Sequence, residues 1–265
     1  MPASSDPARP LRRFGQNFLA DRVLAERLVE LFDPHPGETV VEIGPGTGAL
    51  TRILAPRCGR LIALELDERL VPGIAELLAD RPGTEVRRAD ALAVDWDALA
   101  DELGAGRLRV IGNLPYNVAT PIVRRLLASD RVGDLQVVLQ REVADRFLAG
   151  PGTKDYGPVS IVAALRAEGR RLITLGPAAF RPRPKVTSTA IGLARRDDPP
   201  LPASEIPALE RCLFRGFRHR RKMLANNFGS DGERVRAFLA ANGLSPDARA
   251  EAVPAAVWLA LSRHL

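Results

Sequence analysis

Residues 40–50 read VVEIGPGTGAL. With Thr39 the stretch begins as TVVEI, a short run with the length and β-branched content of a buried strand. Glycines at 44, 46 and 48 follow at once, and helical patterning starts near Ala49. Glycine tolerates positive φ and lets a ligand approach the backbone, so a strand–loop–helix unit of this kind reads as a binding loop more readily than as a plain turn. As written, GPGTGA also fits the dinucleotide pattern G-x-G-x-x-A.

Outward from that loop the alternation repeats. RLIALEL (60–66), EVRRAD (85–90), RLRVIGN (107–113) and DLQVVLQ (134–140) read as strands. ERLVPGIAELL (68–78), PIVRRLL (121–127) and EVADRFL (142–148) read as helices, and SIVAALRA (160–167), RLITLG (171–176) and TSTAIGLARR (187–196) as later strands. Such alternation predicts an α/β fold with a doubly wound, mostly parallel sheet, whose ligands sit at the carboxyl ends of the strands. The glycine loop, Glu65, Asp90 and Asn113 all fall at those ends. RRDDPPLP (195–202) breaks the pattern as a linker, and 203–265 keeps only helical periodicity, so a small all-helical C-terminal domain is expected.

The chain has 265 residues, 46% of them hydrophobic, which is ordinary for a globular protein. No apolar run reaches membrane-spanning length, and the first eighteen residues lack the apolar segment of a signal peptide. The expectation is a cytoplasmic protein with a flexible tail over 1–13. Cys58 and Cys212 lie in neither a CxxC pair nor a disulfide framework, and with His35, His219 and His264 they form no zinc pattern, so no metal is expected. A net charge of +6 suits an anionic partner, nucleic acid first and a membrane surface second.

Glu65 ends the strand after the glycine loop, where a ribose hydroxyl would need an acceptor. A nicotinamide cofactor and S-adenosylmethionine both carry that ribose. Three features favour the second. Glu42 adds negative charge before the loop, which repels a diphosphate but not a sulfonium or ammonium group. Asp90 can accept from an adenine amino group. No His or Tyr–Lys pair marks a hydride-transfer site.

The fourth strand runs into IGNLPYN (111–117). Asn and Pro are turn residues, and Pro115 ends the strand, so a turn is the bland account. Together, however, EIGPGTG, Glu65 in LELD, Asp90 in RADAL and NLPY at 113–116 resemble the rRNA adenine-N6 methyltransferases. FGQNFLAD (14–21), YGPVSI (156–161) and FRPRPKVTS (180–188) resemble further motifs of that family, and FRHRRKMLANNF (217–228) resembles the C-terminal segment of its 16S rRNA adenine dimethyltransferases. The resemblance spans about residues 12–228, in the family's order. It implies a Rossmann-like methyltransferase domain over 14–198 and a helical RNA-binding domain over 199–265.

It further implies S-adenosylmethionine as cofactor, held by Asn17, Leu19, Gly44, Gly46, Glu65, Asp90 and Asn113. The substrate would be two neighbouring adenines near the 3′ end of 16S rRNA in an assembling small subunit, each receiving two methyl groups from a monomeric enzyme. Adenine N6 is a poor nucleophile because its lone pair is delocalised into the ring. Acceptors against its two N–H bonds, the Asn113 side-chain oxygen and the Leu114 carbonyl, would favour a pyramidal nitrogen aimed at the methyl. Pro115 stiffens the corner and brings no competing donor. Tyr116 would stack on the base, with Phe180 as the opposite wall, although a core Phe is the commoner reading of such a residue. Two positions depart from the family: Ala164 stands where a Gln is frequent, and the basic run before the first motif is reduced to Arg12 and Arg13.

RCLFRGFRHRRK (211–222) holds cations and no acid. On one helix Arg211, Arg215, Arg218 and Lys222 would form a stripe, with Leu213, Phe217 and Leu224 opposite, although Gly216 is a weak point. The expected RNA contacts are Arg211, Arg215, Arg218, Arg221 and Lys222. Three alternatives remain: a macrolide-resistance methyltransferase of 23S rRNA, a non-catalytic RNA-binding assembly factor, and a nicotinamide oxidoreductase.

Overall fold

The computed structural model describes residues 15–265. The expected tail over 1–13, with Arg12 and Arg13, lies outside the described residues. In chain order the elements are β1 (Phe18–Leu19), α1 (Arg22–Phe32), β2 (Thr39–Ile43), α2 (Thr51–Leu54), β3 (Arg60–Glu65), α3 (Val71–Leu78), β4 (Thr84–Arg88), α4 (Trp96–Glu102), β5 (Leu108–Asn113) and α5 (Ala119–Ala128). Then follow β6 (Val132–Gln140), α6 (Arg141–Leu148), α7 (Pro158–Arg166), β7 (Ala167–Leu175), β8 (Phe180–Arg181), β9 (Ser188–Arg195), α8 (Ile206–Gly216), α9 (Gly232–Ala241) and α10 (Ala255–His264).

The larger sheet runs β4-β3-β2-β5-β6-β9-β7. Its pairs from β4 to β6 are parallel, and β9 joins β6 antiparallel. The chain winds outward from β2 to β4 and then returns to lay β5 beside β2, so the sheet's switch point opens between Ile43 and its register partner Gly112. Helix α1 starts where the Asp21 carboxylate accepts from Leu24 N at 3.0 Å and turns Ala25, Leu28, Val29 and Phe32 inward. Those side chains pack with Val40, Leu61, Ala63 and Ile111 of the sheet. A two-stranded ribbon, with Leu19 opposite Phe180, adds both of those residues to the same core.

The chain divides into two compact units. One holds the described residues to Ala144 with Arg170–Ala194, and the other holds Asp145–Gly169 with Arg195–Leu265. This division differs from a linear boundary after residue 198, because α7 belongs with the C-terminal helices. SIVAALRA is also not a strand. Pro158 occupies the first turn, Gly157 N donates to Ser160 Oγ at 3.1 Å, and the run continues as α7. Ile161, Val162, Ala163, Leu165 and Arg166 are all buried. A helix covered on nearly every side loses the 3.6-residue alternation of polar and apolar positions, which is why its letters imitate a buried strand. The linker after β9 is anchored in this unit, where buried Arg166 donates to Leu201 O at 2.8 Å. Trp258 is the unit's largest fully buried side chain, stacked on Phe217 with ring centroids 5.4 Å apart.

Candidate active site

A cavity of about 220 Å³ opens at the carboxyl ends of β2 to β5. Asn17, Leu19, Gly44, Gly46, Glu65, Asp90, Asn113, Leu114, Pro115 and Tyr116 all line it, so ten of the residues expected from the sequence meet in one place. Gly46 has φ +59°, and a Cβ there would lie 2.8 Å from the Phe18 ring, so the loop closes against an aromatic that only glycine admits. Gly46 N also donates to Glu65 Oε2 at 3.1 Å, and Asp67 N to Glu65 Oε1 at 2.8 Å. Each Glu65 oxygen keeps a lone pair for a further donor. Burial raises the Glu65 carboxyl above its ordinary value, opposed by those backbone donors.

Glu42 departs from expectation. It is 1% exposed, and its Oε2 accepts from Thr51 Oγ1 at 2.7 Å. Burial drives its pKa to about 8; the Thr51 bond opposes the shift and the neighbouring Glu65 charge adds to it. Burial thus favours the neutral form of Glu42, which weakens the expected repulsion of a diphosphate, because a carboxylate inside the sheet lacks the water that would keep it ionised.

The corner after β5 is well defined. Asn113 Nδ2 donates to Asn17 O at 2.8 Å, which leaves Asn113 Oδ1 to face other donors. Leu114 N donates to Val138 O at 3.3 Å, and Val118 N to Pro115 O at 3.1 Å, so the Leu114 carbonyl receives no backbone donor among the described residues. Two acceptors on adjacent residues therefore stand at the strand end. The Tyr116 hydroxyl bonds Ser188 Oγ of β9 at 2.6 Å, which fixes the ring from outside the corner, and burial raises its pKa. Beyond Glu65, Asp67 binds Arg69 through two bonds of 2.9 and 2.6 Å and accepts from Gln16 Nε2 at 3.0 Å. Those bonds, Arg69 first, hold its pKa down to about 2. Thr51, Asp67, Phe18 and Ser188 were not singled out from the sequence. Phe18, Asp67 and Ser188 stood inside quoted motifs and Thr51 directly after one, but their bonds and contacts at the site depend on tertiary packing.

Phe180 does not line the cavity. Its ring is fully buried, because the β1–β8 pairing turns it into the core. The structure thus corrects the expectation of a second wall exposed opposite Tyr116.

In the second unit the cationic stripe is broken. Helix α8 ends at Gly216, where a Cβ would come within 2.3 Å of the Trp258 ring, and residues 217–222 form turns. Leu224 belongs to a separate 3-10 turn. Arg215 is not a free cation: its guanidinium pairs with Asp231 at 3.0 Å and lies 4.8 Å above the Phe228 ring. Acids thus do reach part of this run, Glu251 also lying 3.9 Å from Arg220. Arg211, Arg218, Arg221 and Lys222 are exposed and make no ion pair among the described residues. Cys58 and Cys212 are free thiols, raised by burial to about 12 and about 11. No described helix is long and apolar enough to cross a membrane.

The family model of ribosomal RNA adenine dimethylases matches residues 9–265. The chain is 43% identical over 255 residues to "Ribosomal RNA small subunit methyltransferase A" of Leptothrix cholodnii, covering 96% of this chain and 91% of that one. The protein of that name from Geobacter metallireducens is 38% identical over 263 residues, covering 97% and 96%. Among solved structures, the 23S rRNA methyltransferase ErmE is 28% identical, with a TM-score of 0.71 over 94% of this chain and 99% of that one. A dimethyladenosine transferase from Plasmodium falciparum, 19% identical, shares the fold at a TM-score of 0.75 over 92% and 95%.

Proposed function

This chain belongs to the ribosomal RNA adenine dimethylase family, and on that premise we propose that the corner at Asn113–Tyr116 presents adenine N6 to a methyl donor in the adjoining cavity. The enzyme is an S-adenosylmethionine-dependent rRNA adenine dimethyltransferase. In this reading its substrate is the pair of neighbouring adenines near the 3′ end of 16S rRNA, within an assembling small subunit, and it works as a cytoplasmic monomer. The relatives named for the small subunit are 38% and 43% identical, against 28% for the 23S enzyme, which favours the small-subunit target.

The residues present fit the donor. A buried carboxylate with spare lone pairs, Glu65, suits two ribose hydroxyls, and Asp90 suits an adenine amino group. Leu66, 45% exposed and lining the cavity, offers apolar contact to a purine face. Gly44 and Gly46 bring bare backbone to the cavity wall, with no side chain to occupy it. Leu19 and Asn17 also line the cavity. When bound, S-adenosylmethionine supplies an electrophilic methyl carbon on a cationic sulfur.

The chain's own groups do the rest by positioning. Asn113 Oδ1 and Leu114 O accept the two N6–H bonds, which localises the nitrogen lone pair on the side away from them. Tyr116 supports the flipped base by stacking, worth roughly 1–3 kcal/mol. No strong base is required before transfer, because the attacking pair is already on nitrogen and the proton leaves a cationic product. Exposed Arg211, Arg218, Arg221 and Lys222 hold phosphates, which fixes register without reading sequence. Arg215 serves that surface indirectly, by bracing α8 against Phe228.

One observation carries the reading: Asn113 spends its amide nitrogen on Asn17 O, so two oxygens remain at the mouth of the Glu65 cavity. The test is to incubate the protein with labelled donor and either small or large subunits, then map methylated adenines by primer extension. Label in 16S rRNA alone supports the proposal. Label confined to 23S rRNA would move the target, and donor binding without transfer would make the chain a binding factor.

A further inference from the structure

Phe214 is 78% exposed, the one aromatic among the exposed large hydrophobic side chains of the described residues. It stands near the end of α8, one turn after Arg211. Phe217 N donates to Leu213 O at 2.9 Å and Arg218 N to Arg215 O at 3.2 Å, so backbone turns continue to Arg218, four residues after Phe214. Among the described residues the ring makes no aromatic or cation contact. Neighbouring Arg215 is held by Asp231 and Phe228, which leaves Arg211 and Arg218 as the cations flanking the ring. Glu210 is the sole acid at helical spacing from Phe214.

An isolated apolar side chain on a surface needs no explanation by itself. A phenyl ring with one exposed arginine three residues before it and another four residues after it is different, because it offers a π-face where anionic groups are drawn in. An apolar protein partner would have to bury those two cations, whereas a nucleotide satisfies both features at once, its base on the ring and its phosphates on the arginines. We propose that Phe214, bracketed by Arg211 and Arg218, is a stacking platform for an unpaired base of the RNA substrate. This rests on the rRNA reading above and adds a preference for single-stranded over paired RNA at this helix.

The test uses the full chain with two fluorescent probes of equal length, an unpaired oligoribonucleotide and a fully paired RNA duplex, each titrated at several salt concentrations. Phe214→Ala is expected to weaken single-strand binding about 5- to 100-fold, with an unchanged salt slope and little effect on the duplex. Phe214→Leu, which keeps an apolar side chain without the π-face, should behave like Ala. Phe214→Trp should restore affinity, and its added fluorescence should be quenched by the oligonucleotide. Thermal melts of all three variants should match the parent, as suits so exposed a position. Equal single-strand binding by the parent and Phe214→Ala would overturn the proposal. So would a loss seen only with intact subunits and not with protein-free RNA, since that marks a protein partner. Methyl transfer by the parent is scored separately: its absence would remove the enzymatic reading while leaving the stacking result to stand or fall alone.

Discussion

Asn113 and Glu42 sit on neighbouring strands and their side chains do opposite things: one keeps an acceptor available, the other hides one. Replacing Asn113 with Ala removes an N6–H acceptor and the bond to Asn17 together. Methyl transfer should fall at least about a hundredfold in single-turnover assays. Donor affinity, measured by equilibrium titration, should change little, and an equal loss of both would refute the assigned role. Tyr116→Phe deletes only the bond to Ser188 and should cost about 1 kcal/mol of stability with transfer largely kept, whereas Tyr116→Ala should also lose the stacking surface. For Glu42 the sign of the pH effect is fixed by direction. Its pKa is raised from 4.5 to about 8, so the folded chain holds a proton that the unfolded chain releases across that interval. The contribution is complete below the lower value and lost as pH rises through the upper one. Glu42→Gln keeps an acceptor for Thr51 but cannot ionise, so its melting temperature should decline less than the parent's between about pH 5 and about pH 8.

At the scale of elements, the glycine loop and its strand were legible because their requirements are local. Gly46→Ala should bring a methyl group against Phe18 and strain φ, so donor binding should drop steeply while the sheet survives, as calorimetry and circular dichroism can report together. Strands β2 to β6 were legible for a related reason: apolar runs between loop residues carry their own boundaries. Helix α7 was not, since a helix buried on most sides shows no amphipathic stripe. Phe180 misled in the opposite direction. Prolines and cations around it suggest a loop at the surface, but the pairing of β8 with a strand far back in the chain buries the ring, and pairing partners are not written in local composition. Gly216 lay in view as the end of α8, yet the close approach that requires a glycine there comes from Trp258 of another helix. Gly216→Ala should therefore overpack that contact and cost about 1–3 kcal/mol in urea unfolding, a larger penalty than an ordinary helical glycine would give.

For the whole molecule, charge and topology act at long range. The excess of cations was visible from composition, but which of them are available was not, because Arg215 is consumed by Asp231. Neutralising Arg211 and Arg218 together should lower the salt slope of single-strand binding by about 0.7 for each phosphate that no longer meets a cation. Arg215→Gln should instead lower the unit's melting temperature. The bond from Asn113 to Asn17 joins positions 96 residues apart, and its acceptor is main chain. An amide group has nearly the same outline after a half-turn about its last bond, so nothing in the shape of the corner tells its two ends apart. That bit of information is stored in the peptide of the leading strand, where no side-chain replacement at 17 can erase it. Shifting that strand would let the amide reverse, and the corner would then offer the substrate a donor where it had offered an acceptor.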